Sequence, residues 1–165
     1  MPQAPKHVLF LCTGNSARSI LAESLLNALG GGRFIGHSAG SHPNGRVHPF
    51  ALELLERHGL PTSQLRSKSW DEFATPGAPQ LDYIFTVCDA AAGEACPLWP
   101  GRPVSAHWGV PDPAAVEGSD DDKRRAFVQA MTALKRRIEL FLSLPHADVH
   151  AAALKGRLQQ IGRMV

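Results

Sequence analysis

Residues His7 to Leu11 run straight into Cys12-Thr13-Gly14-Asn15-Ser16-Ala17-Arg18-Ser19, and leucines then recur at every fourth position: Leu21, Leu25 and Leu29. A short apolar run entering a Gly-containing turn predicts a buried parallel strand. The leucine period predicts a helix from about Arg18 to Leu29, stopped by Gly30-Gly31-Gly32. A strand, a tight turn and a helix in that order narrow the choice of fold. The helix must lie back on a sheet, and parallel strands joined by right-handed crossovers satisfy that demand.

The rest of the chain continues the alternation. Arg33 to Ser38 is predicted as a second strand and Ala39 to Arg46 as a polar loop. A second helix is expected from about Val47 to His58, with Gly59 at its C′ position and Pro61 beyond. Tyr83 to Val87 is the most β-prone run, and Val104 to Trp108 suits a last strand. Asp89 to Ala95, rich in Ala and Gly, is expected as a mobile loop or weak helix. Ser119 should cap a long helix whose first turn holds Asp120, Asp121 and Asp122. Its apolar stripe is Phe127, Met131, Leu134, Ile138 and Phe141, and Pro145 ends it. The segment from about Val149 to Ile161 is expected as a short helix or a fraying tail.

The chain has 165 residues and is 44% hydrophobic, which suits one domain, 1–165, with a proper core. A net charge of +2 gives no reason to expect nucleic-acid or membrane-surface binding. The N-terminal apolar run is too short for a signal peptide, and nothing approaches the roughly 20 apolar residues of a membrane span. A reducing cytoplasm is the expectation. There, three cysteines suggest catalysis or metal binding more than structural bridges.

Cys12, five residues, Arg18, then Ser19 is the pattern with chemical content. Five residues suffice to wrap backbone N–H groups around a tetrahedral oxyanion, and Gly14 would allow a positive φ. The helix N-terminus adds its positive dipole end. Arg18 can grip two anion oxygens at once. The same field should depress the pKa of Cys12, and a thiolate beneath a bound oxyanion is an attacking nucleophile. Cys12 and Arg18 are therefore candidate catalytic residues. Thr13, Gly14, Asn15, Ser16, Ala17, Arg18 and Ser19 form the candidate oxyanion site. Asn15 should hold the loop by bonding to backbone groups, and Ser19 should hydrogen-bond the thiolate.

These stretches, together with Ser38-Ala39-Gly40, Val87 to Pro97 and His107 to Pro113, resemble the thioredoxin-coupled arsenate reductases. That family shares a fold with the low-molecular-weight protein tyrosine phosphatases. The resemblance extends to about Leu144. It implies a three-layer α/β domain with a four-stranded parallel sheet flanked by helices. It also implies an activity, reduction of arsenate to arsenite. The first motif does not separate reductase from phosphatase; Cys88 and Cys96 do. Hydrolysis of a phosphoester has no use for further thiols on one loop, whereas one disulfide formed is two electrons delivered.

The resemblance implies that Cys12 forms a thiol–arseno adduct and Cys88 attacks the Cys12 sulfur. Cys96 then takes over Cys88 in a disulfide that thioredoxin reduces. Cys96 comes eight positions after Cys88, one more than in the best-known members. That leaves glutathione and glutaredoxin open as the reductant. Asp112, between Pro111 and Pro113, resembles the family's general acid; alone it would read as a turn residue. Asn15, Glu23, Ser38 and Asp71 match residues that bind potassium in some relatives, but nothing local demands a cation, and no metal or other cofactor is expected. His42 and His48 are expected to be exposed, and His107 with Trp108 to pack the last strand.

Two other readings remain. A tyrosine phosphatase would hydrolyse phosphate monoesters through a phosphocysteine. It normally flanks its pocket with aromatics, and neither Pro113-Ala114-Ala115 nor Ser41 to Val47 supplies one. A redox sensor or zinc-binding partner would need neither Arg18 nor Asp112, and the chain has no C-x-x-C pair.

Overall fold

A computed structural model describes residues 4–87, 103–144 and 151–163, the last stretch with side chains from 156 onward. Its sheet has four parallel strands in the order β2-β1-β3-β4: β1 is Lys6–Cys12, β2 Phe34–Gly40, β3 Tyr83–Thr86 and β4 Val104–His107. The helices are α1 (Arg18–Leu29), α2 (Pro49–Arg57), α3 (Asp120–Leu142) and α4 (Ala151–Arg163). The strands and helices fall where the sequence patterns place them, within one to three residues at each end. Cys88, Cys96 and the expected Asp89–Ala95 loop lie outside the described residues.

The pleat of β1 divides its side chains between two cores. Val8, Phe10 and Cys12 face a cluster with the buried residues of all four helices. Leu9 and Leu11 face a smaller one with Ala39, Phe73, Leu81 and Ile84, closed by the short 3-10 helix Trp70–Phe73. The chain leaves β1 for β2 on one side and later returns to β3 on the other. The strand order thus reverses beside the carboxyl end of β1, where open α/β sheets hold ligands. Cys12 stands at that end, paired with Gly40.

Burial of α1 differs from the predicted stripe. Every residue from Ser19 to Leu26 is buried, whereas Leu29 is 37% exposed. The helix is enclosed on several sides, by β2, α2 and α3, so it takes Glu23 and Ser24 inside with its leucines. The third helix matches its sequence pattern closely. Ser119 and Asp122 form a reciprocal capping box, and the whole predicted apolar stripe is buried. It ends at Leu142 with Ser143 as its cap, ahead of Pro145.

The last segment is a docked helix. Leu158 and Ile161 are buried, and the Trp108 indole N–H donates to the Leu158 carbonyl at 2.9 Å. A side chain at Gly162 would strike the His107 carbonyl, so glycine permits the close approach of α4 to β4. Trp108 stacks on Phe85 with ring centroids 3.6 Å apart. His107 itself is exposed, its Nδ1 2.7 Å from Thr86 Oγ1, whereas Trp108 is fully buried.

His37 on β2 and His7 on β1 stack at 5.1 Å with a ring-nitrogen separation of 2.9 Å. Burial, then the neighbouring His7 and Lys68, lower the pKa of His37 to about 4. The native state therefore resists a proton that the unfolded chain accepts near 6.5. Stability is full above that value and is lost as the pH falls toward 4. Because the ring still meets solvent, the expected loss is about 1–2 kcal/mol. Denaturant unfolding of wild type and His37→Gln at several pH values checks this; the variant should lose less stability over the same range.

Candidate active site

Cys12 closes β1, 4% exposed, and the loop after it folds back over its sulfur. The Asn15 backbone N–H donates to Sγ at 3.2 Å, and Ser19 Oγ lies 2.9 Å from Sγ. Asn15 Nδ2 donates to that same Ser19 oxygen at 2.8 Å. A Ser19 hydroxyl that accepts from the amide can still donate its own hydrogen to the sulfur, and once Cys12 is a thiolate only that direction is open, so two donors then converge on Sγ. Donors directed at a sulfur stabilise its anion.

The left-handed residue of the loop is Asn15, with φ of 46°; Gly14 does not take a positive φ. Asparagine tolerates this region because its side chain finds local partners. Here it accepts from the Lys68 backbone N–H through Oδ1 at 2.9 Å while donating to Ser19. At Gly14 a Cβ would lie 2.9 Å from the side-chain nitrogen of Asn44, an exposed residue whose backbone N–H donates to the Gly14 carbonyl, so a larger residue there would push the Asn44 side chain aside.

Two flanking segments brace the loop. The His42 and His48 backbone N–H groups donate to the Thr13 and Ser16 carbonyls, each at 2.9 Å. The Ser67 hydroxyl donates to the Gly14 carbonyl at 3.1 Å and accepts from the Gly45 N–H at the same distance. Asn44 Nδ2 donates to Ser16 Oγ at 3.2 Å. Helix α1 opens on Ala17 with no side-chain cap, so the positive end of its dipole meets the loop uncovered by any capping group.

Arg18 comes from the first turn of α1. Its Nη1 donates to the Val110 carbonyl at 2.9 Å, and its Nη2 lies 3.6 Å from Asp112 Oδ2. The guanidinium is thus held in place before any anion arrives. Asp112 is a turn residue as well: its Oδ1 accepts from the Ala114 N–H at 2.9 Å and caps the 3-10 helix Pro113–Ala115. Its side chain is 41% exposed, so a bound group could exchange a proton with water through it. The Trp108–Val110 backbone that carries the Val110 carbonyl is fixed from behind. Arg137, 7% exposed, donates through Nη1 to the Trp108 and Gly109 carbonyls at 3.1 and 2.8 Å.

His42 is exposed as expected, but His48 is half-buried. Its ring packs tilted against Phe127 at 4.8 Å, and it caps α2 by accepting from the Phe50 N–H. Burial lowers its pKa, and the nearby Asp112 opposes that shift.

Lys68 went unrecognised in the sequence. Its backbone N–H holds Asn15, its carbonyl accepts from the Gly40 N–H, and its ammonium lies 3.8 Å from Glu23 Oε1. Its one sequence signal is indirect: a glutamate inside a buried helix demands a partner.

Asn15, Glu23, Ser38 and Asp71 do not fit a potassium ion here. Asn15 Oδ1 and Glu23 Oε1 already accept from protein donors, the latter from Ser38 Oγ, and the ammonium stands beside the carboxylate. Asp71 lies on the exposed 3-10 helix, its backbone N–H bonded to Ser69 Oγ.

Cys12, Arg18, Asp112 and the loop from Thr13 to Ser19 therefore meet at one sheet edge, a constellation able to hold a tetrahedral oxyanion over a sulfur. A family model described as low molecular weight phosphotyrosine protein phosphatase matches residues 7–155. An arsenate reductase from Halalkalibacterium halodurans is 35% identical over 136 residues, 82% of this chain and 94% of that protein. A structure of an arsenate reductase from Archaeoglobus fulgidus superposes with a TM-score of 0.59 at 28% identity, covering 80% of this chain and 98% of the other. A thioredoxin-dependent arsenate reductase from Corynebacterium glutamicum superposes with a TM-score of 0.56 at 26% identity, covering 85% of this chain and 65% of that longer one.

Proposed function

The chain belongs to the low-molecular-weight phosphotyrosine protein phosphatase family, and from that premise we propose that it reduces arsenate to arsenite. The observation that carries reduction over ester hydrolysis is that the sequence holds Cys88 and Cys96 in addition to the Cys12 cradle, in a chain whose curated relatives are named arsenate reductases. Val87 supports the arrangement. Its N–H donates to the Leu11 carbonyl at 2.8 Å, and Cys88 is the next residue in sequence.

Arsenate binds to the backbone of residues 13–19 and to Arg18. The Cys12 thiolate attacks arsenic(V), and one arsenate oxygen leaves as water with a proton from Asp112. The Cys88 thiolate then attacks the Cys12 sulfur. A sulfur–sulfur bond forms, and the sulfur–arsenic bond breaks with its electron pair passing to arsenic. Arsenic falls from the +5 to the +3 state while the two sulfurs are oxidised to a disulfide. Cys96 attacks Cys88 and releases Cys12 as a thiolate. A dithiol protein of the thioredoxin class reduces the Cys88–Cys96 bridge, in the cytoplasm. Phosphate and sulfate, of the same shape and charge class, occupy the cradle without being reduced.

Slow hydrolysis of small phosphate esters needs only Cys12, Arg18 and Asp112, so the same site should retain a residual phosphatase activity. Arsenate consumption assayed with thioredoxin and its reductase, and separately with glutathione and glutaredoxin, tests the proposal. Arsenite should form with the thioredoxin system at the higher rate. Ester hydrolysis without arsenite production from either system would leave the protein a phosphatase.

A further inference from the structure

Behind the cradle lies a charge pair that the reaction above does not use. Glu23 sits inside α1, 7% exposed, and Lys68 reaches it from the segment before the Trp70–Phe73 helix. Both side chains are 9% exposed. Glu23 Oε1 accepts from Ser38 Oγ on β2, and Lys68 Nζ also donates to the Arg66 carbonyl at 3.0 Å. Burial raises the pKa of Glu23, while Ser38 and Lys68 pull it back. Burial lowers that of Lys68, while Glu23 opposes it. Each charge is unfavourable there without the other.

The pair is wired to the sulfur. The Lys68 N–H holds Asn15 Oδ1, and Asn15 gives its own N–H to Cys12 Sγ and its amide to Ser19. The Lys68 carbonyl is fixed by the Gly40 N–H at 2.9 Å, and Ser69 bridges to Gly40 beside β2. Lys68 is therefore anchored at its ammonium, its N–H and its carbonyl. Asn15, with φ of 46°, is the one non-glycine residue in the left-handed region among those described. A backbone in that region persists when its surroundings over-determine it.

We propose that Lys68 is a positioning residue whose ammonium serves as a built-in counter-cation for Glu23, holding Asn15 in the conformation that aims its N–H at Cys12 and making the cradle independent of any added monovalent cation. A potassium ion at Glu23 would have to displace the ammonium or sit against a like charge. The inference concerns the anion cradle and its thiol, so it stands or falls separately from arsenate as substrate.

The test uses the full chain. Wild type should melt at the same temperature in potassium chloride and in choline chloride of equal ionic strength. In Lys68→Met the pH profile of Cys12 alkylation, read on the Cys12 peptide by mass spectrometry, should move to higher pH. Inorganic phosphate should bind about tenfold more weakly, the size of effect expected on losing one buried charged partner. Lys68→Met combined with Glu23→Gln removes both charges. It should recover the melting temperature lost in the single variant and keep the displaced alkylation profile, which guards the test against a single variant that fails to fold. Specific stabilisation of the wild type by potassium, or a wild-type alkylation profile in the double variant, would overturn the proposal.

Discussion

Replacing Cys88 by serine is expected to stop multiple-turnover arsenate reduction, by at least about a thousandfold, while leaving slow hydrolysis of para-nitrophenyl phosphate in place. The two reactions share the Cys12 cradle and differ in electron demand. Hydrolysis of a phosphocysteine needs water and a proton donor. Release of arsenite needs a second sulfur to break the sulfur–arsenic bond. A serine hydroxyl cannot form that disulfide, so the adduct stalls. Steady-state rates with both substrates, on one preparation, separate the roles. Equal loss of both activities would mean that Cys88 supports the fold and takes no part in electron transfer.

The second large effect is expected at Arg18. Arg18→Lys keeps a positive charge and loses the planar fork that can hold two anion oxygens. It also loses the fixed geometry that the Val110 carbonyl and Asp112 impose on the guanidinium. Phosphate affinity and kcat/KM for arsenate should both fall by about 100-fold, roughly 3 kcal/mol. Thermal melts give a reading independent of turnover. Phosphate at tens of millimolar should raise the Tm of wild type by mass action and should not raise that of the variant. A variant stabilised as strongly as wild type would place the anion elsewhere.

The strands, helices and cradle were legible because they obey local rules. The Cys12 to Ser19 turn, the Ser119 cap and the stripe from Phe127 to Phe141 each depend on residues a few positions apart. The tertiary details were not. The sequence points to Gly14 for the left-handed position, yet Asn15 takes it, because Lys68, 53 residues away, holds its side chain there. Leu29 fits the α1 stripe and lies at the surface because the helix is enclosed on several sides nearer its start. His48 reads as a loop histidine, but its place beside Asp112 and Phe127 depends on how α2 and α3 pack. Asp112 reads as either a turn residue or an acid, and the structure makes it a cap that also faces Arg18.

Disulfide mapping after one turnover distinguishes a thiol relay from chemistry confined to Cys12. Reduced Cys96→Ser protein, given one equivalent of arsenate and then alkylated and digested, should release one equivalent of arsenite and carry a Cys12–Cys88 disulfide. Wild type treated alike should carry Cys88–Cys96. Disulfide geometry confines the Cα atoms to about 4.4–6.8 Å, so the relay requires Cys88 to come within that range of Cys12 and of Cys96 in turn. Arsenite-free mixtures with all thiols alkylated, or wild type retaining Cys12–Cys88, would contradict the relay.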